Sequence, residues 1–211
     1  MAKRPIFIPT IDGSQFVKVT MVDFDWFPGY SLTQKMKSIE SLHRSAKTLG
    51  FINLLEISTK SPSLVGKKLS AFNLHLDYAG RKAPVESFYQ SSKVFTDGGP
   101  FTDLSLTLVR NIKKDTRLFS SGKLVKFSLN GIDWDIFPET AFYDWLYINA
   151  ILQHKEYIQS ILTYQAFTDI EFNPQKSISC QANSAALFVS LFNRHVVNYD
   201  FIDKQKFLSV I

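Results

Sequence analysis

The sequence predicts an α+β fold, mostly helical, in which a small β-sheet completes a single domain. Three observations lead to this prediction. The chain has 211 residues, which suits one domain at roughly 150 residues per domain. Hydrophobic residues make up 45% of the chain, enough for a sizeable core, and 19 residues are phenylalanine. Segments with the three- and four-residue apolar spacing of helices outnumber the alternating segments that are typical of strands.

The N-terminal half contains a strand, a long helix and a second strand. Residues Phe16–Phe24 partly alternate and are rich in Val and Thr, which predicts the first strand. Ser31 is the predicted N-cap of a helix over Leu32–Leu49, which Gly50 terminates. A short strand is predicted over Leu54–Ser58.

The rest of the chain, from Pro84 onward, is predicted to be mainly helical. Pro84 is well placed to begin a helix over Val85–Phe95, and Asp97–Pro100 should end it. A strand over Lys123–Leu129 turns back at Asn130–Gly131, a hairpin-type dipeptide. Further helices are predicted over Glu139–Leu152, Lys155–Tyr164 and Gln181–Asn193, the last of them amphipathic.

We expect one domain over residues 1–211, because no repeat, low-complexity tract or linker interrupts the chain. Residues 1–22 form an N-terminal arm or strand in this interpretation, residues 23–193 the core, and residues 194–211 a C-terminal tail. The longest apolar run, Ala185–Phe192, is far shorter than the ~20 residues of a membrane helix. Pro5 and Pro9 interrupt the apolar stretch near the N-terminus, which argues against a signal peptide.

Cysteine usage and charge suggest a compartment and a class of partner. Cys180 is the one cysteine, so no internal disulfide framework is possible, and a reducing cytoplasm is expected. A buried structural thiol is the expected state of this residue. The net charge of +5, with a pI near 9.2, is compatible with a nucleic-acid substrate.

The stretch with the clearest chemical pattern is the predicted helix Val85–Phe95. Glu86, Tyr89, Gln90 and Lys93 stand at i, i+3, i+4 and i+7, so they share one helix face beside an apolar stripe. Partial burial there would raise the pKa of a carboxylate and lower that of a lysine, which suits acid–base work near neutral pH. The competing interpretation is a solvated face, because short polar stripes are common on amphipathic helices.

A second polar constellation lies in the turn-rich stretch before the last helix. Asp169, Glu171 and Asn173 alternate, so in an extended segment they would point to one side and could bind a metal or activate water. The calcium-loop pattern is absent, and ordinary turn chemistry is the alternative.

Other well-known motifs are missing. There is no phosphate-binding loop, dinucleotide fingerprint or nucleophile elbow. Gly98 and Gly99 could bring backbone amides close to a phosphate, or they could simply stop a helix. The four histidines have no metal-ligand spacing; they are His43, His75, His154 and His195.

The pattern resembles the NADAR (YbiA-like) family. That family combines a Leu/Phe-Ser-Asn-Phe stretch with a helix carrying Glu-x-x-x-Gln-x-x-Lys, which Glu86, Gln90 and Lys93 match. Trp134-Asp135 is similar to its central Trp-Asp element, and Asp169-Ile-Glu-Phe to a later one. Further segments resemble the subgroup that accompanies DarT-type DNA ADP-ribosyltransferases as antitoxin; these are Tyr30–Ile39, Phe137–Leu146 and Phe172–Gln181.

The chain also departs from the family pattern. The asparagine of the Ser-Asn-Phe element is displaced to Asn73, and Gly-rich elements are missing after the late aspartate. The resemblance nevertheless implies a YbiA-like fold and cleavage of N-glycosidic bonds, with Glu86, Lys93 and Asp169 as catalytic residues and no metal or cofactor. The residues expected to bind the substrate are Asn73, Tyr89, Gln90, Gly98, Gly99, Trp134, Glu171, Asn173 and Gln181.

The resemblance implies a hydrolase that removes ADP-ribose from guanine in DNA and so acts as antitoxin to a DarT-type toxin. Recognition is expected mainly through the ADP-ribose, with few, salt-sensitive DNA contacts. One alternative is a YbiA-like N-glycosidase of nucleotide-like metabolites such as riboflavin intermediates. The other is a non-catalytic module that binds ADP-ribose or the toxin.

Individual roles remain open at this level. Lys93 could bind the pyrophosphate or donate a proton as an ammonium group, or attack the anomeric carbon as an amine and form a Schiff base. Tyr89 and Trp134 could stack on a base or belong to the core. We expect Glu86, Lys93 and Asp169 to line one cleft, with their side-chain ends within about 12 Å of each other, because glycosidase carboxylates are about 5–9.5 Å apart.

Overall fold

A computed structural model of the protein describes residues 2–211 and confirms the α+β class. The strands, in chain order, are β1 (Ala2–Pro9), β2 (Val17–Phe24), β3 (Leu54–Glu56), β4 (His75–Tyr78), β5 (Arg81–Pro84), β6 (Lys93–Phe95), β7 (Leu124–Leu129), β8 (Ile132–Asp135) and β9 (Ala166–Thr168). The helices are α1 (Leu32–Thr48), α2 (Leu64–Lys68), α3 (Val85–Ser91), a 3-10 helix (Thr102–Leu106), α4 (Val109–Ile112), α5 (Arg117–Ser120), α6 (Ala141–Gln153), α7 (Lys155–Ile161), α8 (Gln181–Asn193) and α9 (Lys204–Leu208).

The chain divides into two compact units. The first unit contains the residues up to Ser70 together with His154–Asp200, and the second contains Ala71–Gln153 together with Phe201–Ile211. The prediction that one domain spans the chain stays a prediction.

The first unit is built on a four-stranded sheet in the order β2-β1-β9-β3. β1 and β2 are antiparallel from Ala2↔Phe24 to Pro9↔Val17, and β3 runs parallel to β9. Ile6 of β1 is fully buried in a cluster with Ile39 and Leu42 of α1. The helix α1 therefore covers the sheet with its apolar face, as expected for an amphipathic helix.

The strand β1 lies where the sequence left open an arm or a strand. Pro5 and Pro9 obscure it in the sequence, because proline lacks the N–H group that a strand donates. β9 pairs with β1 only at Phe7↔Phe167, so most residues of β1 need no backbone N–H group to pair with β9.

The two long C-terminal helices are buried on almost every side. In α8 the buried residues extend from Gln181 to Leu191 with few gaps, so the expected amphipathic character is wrong. The side chain of Arg194, just past α8, donates to the carbonyl oxygens of Thr10 at 3.0 Å and Gly13 at 2.9 Å. These bonds fix the β1–β2 loop against the end of α8.

The second unit joins a hairpin, a small sheet and α6. β4 and β5 form an antiparallel hairpin, and β6, β7 and β8 form a three-stranded sheet in that order. Asn130 and Gly131 both have positive φ, which confirms the predicted hairpin turn between β7 and β8. The C-terminal tail returns to this unit, where the carbonyl oxygen of Ile202 accepts a 2.7 Å hydrogen bond from Nε1 of Trp145.

The helix predicted over Val85–Phe95 is wrong in its second half. It begins at Val85 as expected but ends at Ser91, and Lys93–Phe95 form β6 instead. The physical reason is tertiary: Lys93 pairs with Phe127 of β7, and Phe95 becomes buried. Asp97–Pro100 therefore follows a strand, not a helix.

Candidate active site

Glu86 is held in place by the segment that carries the Leu-Ser-x-Phe-Asn element. The backbone N–H of Val85 donates to the carbonyl oxygen of Leu74 at 2.9 Å, and that of Glu86 donates to Ala71 at 3.0 Å. The hairpin β4–β5 leads directly into α3, so the chain delivers Glu86 in the first helical turn. The residue is only 5% exposed, which gives its carboxylate a restricted set of partners.

The carboxylate of Glu86 has two donors on one oxygen. Oε1 accepts a 2.9 Å hydrogen bond from Nε2 of Gln90, one turn along α3. The same oxygen lies 3.0 Å from Nζ of Lys113, just past α4, in a pair whose lysine side chain is 55% exposed. A buried carboxylate needs such partners, because an unpaired charge in the interior is strongly destabilising. Lys113 is a member of the site that the sequence did not reveal.

Lys93 lies on β6 and still belongs to the neighbourhood of Glu86. Its ammonium nitrogen sits 4.9 Å from the centre of the Tyr89 ring, a cation–π contact. Burial lowers the pKa of Lys93 below its usual value; Glu86 opposes this by raising the pKa, and Lys113 lowers it further. Among the described residues no carboxylate is within ion-pair distance of Lys93. We call Glu86, Gln90, Lys93 and Lys113 the Glu86 cluster.

The two aromatic candidates occupy different environments. Tyr89 is half-buried, and its ring contacts Tyr143 edge-on at 5.0 Å between centroids. Trp134 is 2% exposed and packs against Phe142 and Trp145, with ring centroids 5.4 and 5.1 Å away. The structure thus places Trp134 in the core, whereas Tyr89 stays beside Lys93.

Gly98 and Gly99 pack closely against the backbone of β6, which carries Lys93. Gly99 has φ of +92°, and a Cβ there would collide with the carbonyl oxygen of Lys93. Only glycine therefore fits this close approach, a requirement independent of any phosphate. Gly98 forms an isolated bridge with Phe95. Asn73 is exposed, and its carbonyl oxygen accepts a 2.8 Å hydrogen bond from Nδ1 of His75.

In the first unit, Asp169 follows directly after β9 and is 8% exposed. Its carboxylate accepts 2.9 Å hydrogen bonds from the backbone N–H of Glu171 and from Nε2 of Gln181. Burial, reinforced by the neighbouring carboxyl of Glu56, raises the pKa of Asp169 to about 8. Asp169 therefore carries a proton near neutral pH, which an ordinary aspartate does not.

Glu56 is a buried carboxyl that the sequence did not single out. Its side chain accepts a 2.9 Å hydrogen bond from the backbone of Ile170 and a 2.6 Å bond from Oγ1 of Thr168. Burial raises the pKa of Glu56 despite these donors. Oγ1 of Thr168 also lies 2.8 Å from Nε2 of His43, whose pKa burial lowers to about 4. We call Asp169, Glu56, Thr168 and Gln181 the Asp169 cluster.

The expectation that Asp169, Glu171 and Asn173 point to one side is wrong, because the segment is not extended. β9 ends at Thr168, and a turn follows. Glu171 instead pairs with Nζ of Lys35 at 3.1 Å. Oδ1 of Asn173 accepts a 3.0 Å hydrogen bond from the backbone N–H of Gln175 and shapes the next turn.

The structure thus brings Glu86, Gln90 and Lys93 together in the second unit and Asp169 with Gln181 in the first. The expectation that Asp169 shares a cleft with Glu86 and Lys93 stays a prediction. Within residues 2–211, no group of three or more His, Cys, Asp or Glu side chains is arranged to hold a metal ion. Over the same range, every helix is too short or too polar to cross a membrane.

Comparison with known proteins identifies the family. A search of curated proteins found no match to the chain. A family model described as DarT1-associated NADAR antitoxin matches residues 2–211. The match includes both the Glu86 cluster and the Asp169 cluster. This chain therefore belongs to the DarT1-associated NADAR antitoxins, with a DarT toxin as its functional partner.

Proposed function

We propose that this antitoxin is an N-glycosidase that removes ADP-ribose from guanine bases in DNA. The observation that carries the proposal is the Glu86 cluster, in which a buried carboxylate lies beside a lysine whose pKa burial lowers. Such a pair can act on an anomeric carbon, because a carboxylate stabilises positive charge on the sugar and an amine can attack it.

Glu86 is proposed to stabilise the developing oxocarbenium character of the ribose. Its carboxylate keeps one oxygen bonded to Gln90 and Lys113, so its position is fixed before the substrate arrives. A prearranged charge is more effective than one that must reorient during the reaction.

Lys93 is proposed to act as the nucleophile. The uncharged amine attacks the anomeric carbon, the bond from that carbon to the guanine amine breaks, and the leaving nitrogen takes up a proton. The bond between the anomeric carbon and the ring oxygen of the ribose then breaks, the ring oxygen takes up the proton that the lysine nitrogen gives up, and a Schiff base forms between Lys93 and the opened sugar. Water hydrolyses the Schiff base, which returns free ADP-ribose and the amine without any oxidant or reductant. The lowered pKa of Lys93 supports this role over that of a permanent ammonium group.

Asp169 is proposed to supply the proton for the leaving amine. Burial raises its pKa to about 8, so it holds a proton at neutral pH. Gln181 positions the carboxyl through a 2.9 Å hydrogen bond. If Asp169 is this acid, kcat/KM declines as the pH rises through about 8, and Asp169→Asn removes that decline.

The experiment that tests the proposed function compares three substrates. Purified protein is incubated with an oligonucleotide ADP-ribosylated on guanine, one ADP-ribosylated on thymine, and an aminopyrimidine ribose phosphate. We expect only the guanine-modified oligonucleotide to be restored, with free ADP-ribose in molar excess over protein. Thymine should be a poor leaving group here, because its linkage is to a ring nitrogen. Cleavage of the metabolite alone would favour a metabolite glycosidase, and stoichiometric binding without turnover would favour a sequestering module.

The covalent step has its own test. Sodium borohydride added during turnover should reduce the Schiff base and leave an ADP-ribose-derived adduct on Lys93, which peptide mass spectrometry detects. Lys93→Arg keeps the charge but has no usable amine, so it should show no adduct. Continued turnover by the wild type with no trapped adduct would assign Lys93 to phosphate binding or proton donation instead.

A further inference from the structure

One edge of the second unit places apolar side chains in water where a folded protein usually buries them. We call residues 106–119 the rim segment. Leu106 is 85% exposed, Leu108 is 63% exposed and Phe119 is 75% exposed. Single exposed apolar residues are common on protein surfaces, whereas several of them close together are typical of interaction surfaces.

The exposure is not a sign of a loosely attached segment. Leu104, just before it, and Ile112, within it, are buried. The guanidinium of Arg117, in α5, forms ion pairs with Asp103 of the 3-10 helix at 2.7 Å and with Asp115 at 2.9 Å. These ion pairs connect the two ends of the segment's backbone. The segment is therefore held in place, while Leu106, Leu108 and Phe119 stay exposed.

The rim segment lies directly beside the Glu86 cluster. Lys113 belongs to it and reaches inward to Glu86 at 3.0 Å, passing over the Phe72 ring at 5.0 Å. The 3-10 helix, which ends at the first residue of the segment, packs against α3, which carries Glu86. A substrate group bound at Glu86 would thus lie next to the rim segment.

Charge identifies the class of partner. Arg110 and Lys114 are exposed, and neither has an ion-pair partner within the part of the chain that the structure describes. Both acids of this region, Asp103 and Asp115, pair with Arg117 and not with Arg110 or Lys114. Unpaired cations between exposed apolar side chains match single-stranded nucleic acid, whose phosphates bind the cations while unpaired bases pack on apolar and aromatic surfaces.

We propose that the rim segment is a contact surface for single-stranded DNA, on which bases next to the modified guanine pack against Leu106, Leu108 and Phe119 while backbone phosphates bind Arg110 and Lys114. This inference rests on the proposed function and specifies its substrate: unpaired or locally opened DNA instead of an intact duplex. An exocyclic amine of guanine in the minor groove is shielded in a duplex, so unpairing also exposes the bond to be cut.

The test separates the surface from the chemistry. Two variants are compared with wild type: Leu106→Ala/Leu108→Ala/Phe119→Ala and Arg110→Ala/Lys114→Ala. Truncation of exposed side chains leaves stability nearly unchanged, so both should fold. Leu64→Ala and Lys82→Ala are matched controls, since Leu64 is 71% exposed and Lys82 is an exposed lysine outside the segment.

Each protein is assayed on a single-stranded oligonucleotide with one ADP-ribosylated guanine and on ADP-ribosylated 2′-deoxyguanosine. We expect the apolar variant to raise KM for the oligonucleotide roughly tenfold, as loss of a stacked base does. The charge variant should reduce the slope of log affinity against log salt by about 1.4, at ~0.7 per phosphate contact. Neither variant should change kcat/KM on the nucleoside, and the controls should match wild type on both substrates.

Unmodified single-stranded oligonucleotide, measured by fluorescence anisotropy, tests the surface even if wild type cleaves nothing. Absence of cleavage with weaker binding by the variants would refute the proposed function but keep the DNA surface. Unchanged oligonucleotide affinity and KM in both variants would overturn the inference. Loss of binding to purified DarT toxin, with oligonucleotide KM unchanged, would reassign the surface to the toxin.

Discussion

Lys113 and Glu86 should shift the pKa of Lys93 in opposite directions. The ammonium group of Lys113 disfavours a second positive charge nearby, whereas the carboxylate of Glu86 favours it. Lys113→Ala should therefore raise the pKa of Lys93, and Glu86→Gln should lower it. Lys114→Ala, which removes the neighbouring exposed lysine, should leave it unchanged.

The stability changes should be modest. Two unit charges 3.0 Å apart interact by roughly 5 kcal/mol at an effective dielectric constant of about 20. Because 55% of the Lys113 side chain is exposed, solvent reduces the net value to about 1 kcal/mol. Lys113→Ala should then lower the melting temperature by roughly 2–4 °C for a chain of this size.

The assay is competitive labelling of lysines with acetic anhydride across a pH series, followed by peptide mass spectrometry. The labelling midpoint of Lys93 reports its pKa without requiring any activity. A wild-type midpoint at the ordinary lysine value, or shifts of the same sign in Lys113→Ala and Glu86→Gln, would refute the electrostatic reasoning.

Three further predictions concern stability, each measured by thermal or urea unfolding. The pKa of Asp169 is about 8 in the folded state and about 4 in the unfolded state, so the folded state holds the proton more tightly. The free energy of unfolding should therefore decline as the pH rises from about 4 to 8. Asp169→Asn should flatten that decline. Gly99→Ala should lower the free energy of unfolding by at least about 2 kcal/mol, because the added Cβ would collide with the carbonyl oxygen of Lys93. Gly131→Ala should lower it by about 1 kcal/mol, because φ is also positive there but no atom lies within 4 Å of the added Cβ. Equal losses in the two variants would contradict this prediction. Thr168→Val should cost about 1–3 kcal/mol, since it removes the hydroxyl donor of a buried carboxyl, and a neutral effect would contradict the assigned bond.

Local sequence patterns predicted several elements correctly. Ser31 caps α1 by accepting a hydrogen bond from the backbone N–H of Gln34 at 3.3 Å, and α1 begins at Leu32 as expected. The Asn130–Gly131 turn and the α8 boundaries also agree with the sequence. These features depend on residues close together in the chain, so a short stretch of sequence is enough to predict them.

Features that depend on distant residues were missed. Lys93 satisfies a helical spacing, yet pairing with Phe127 places it in a strand. Lys113 pairs with Glu86, 27 residues away in the chain, and Glu56 accepts a hydrogen bond from Thr168, 112 residues away. No local sequence pattern predicts either contact. Glu56 also lies in a three-residue strand, too short to show alternation. The sequence therefore indicated candidate groups but not the partners that tune them.

The most direct test of the candidate site measures turnover and stability of the same variants. Lys93→Ala and Glu86→Gln are assayed for ADP-ribose release from a guanine-modified oligonucleotide, and their unfolding is recorded in parallel. We expect each to lose about 100-fold or more in turnover while its stability changes by about 1 kcal/mol. Variants that unfold at markedly lower temperature while the folded fraction keeps full activity would show that these residues are structural, and would contradict the assignment.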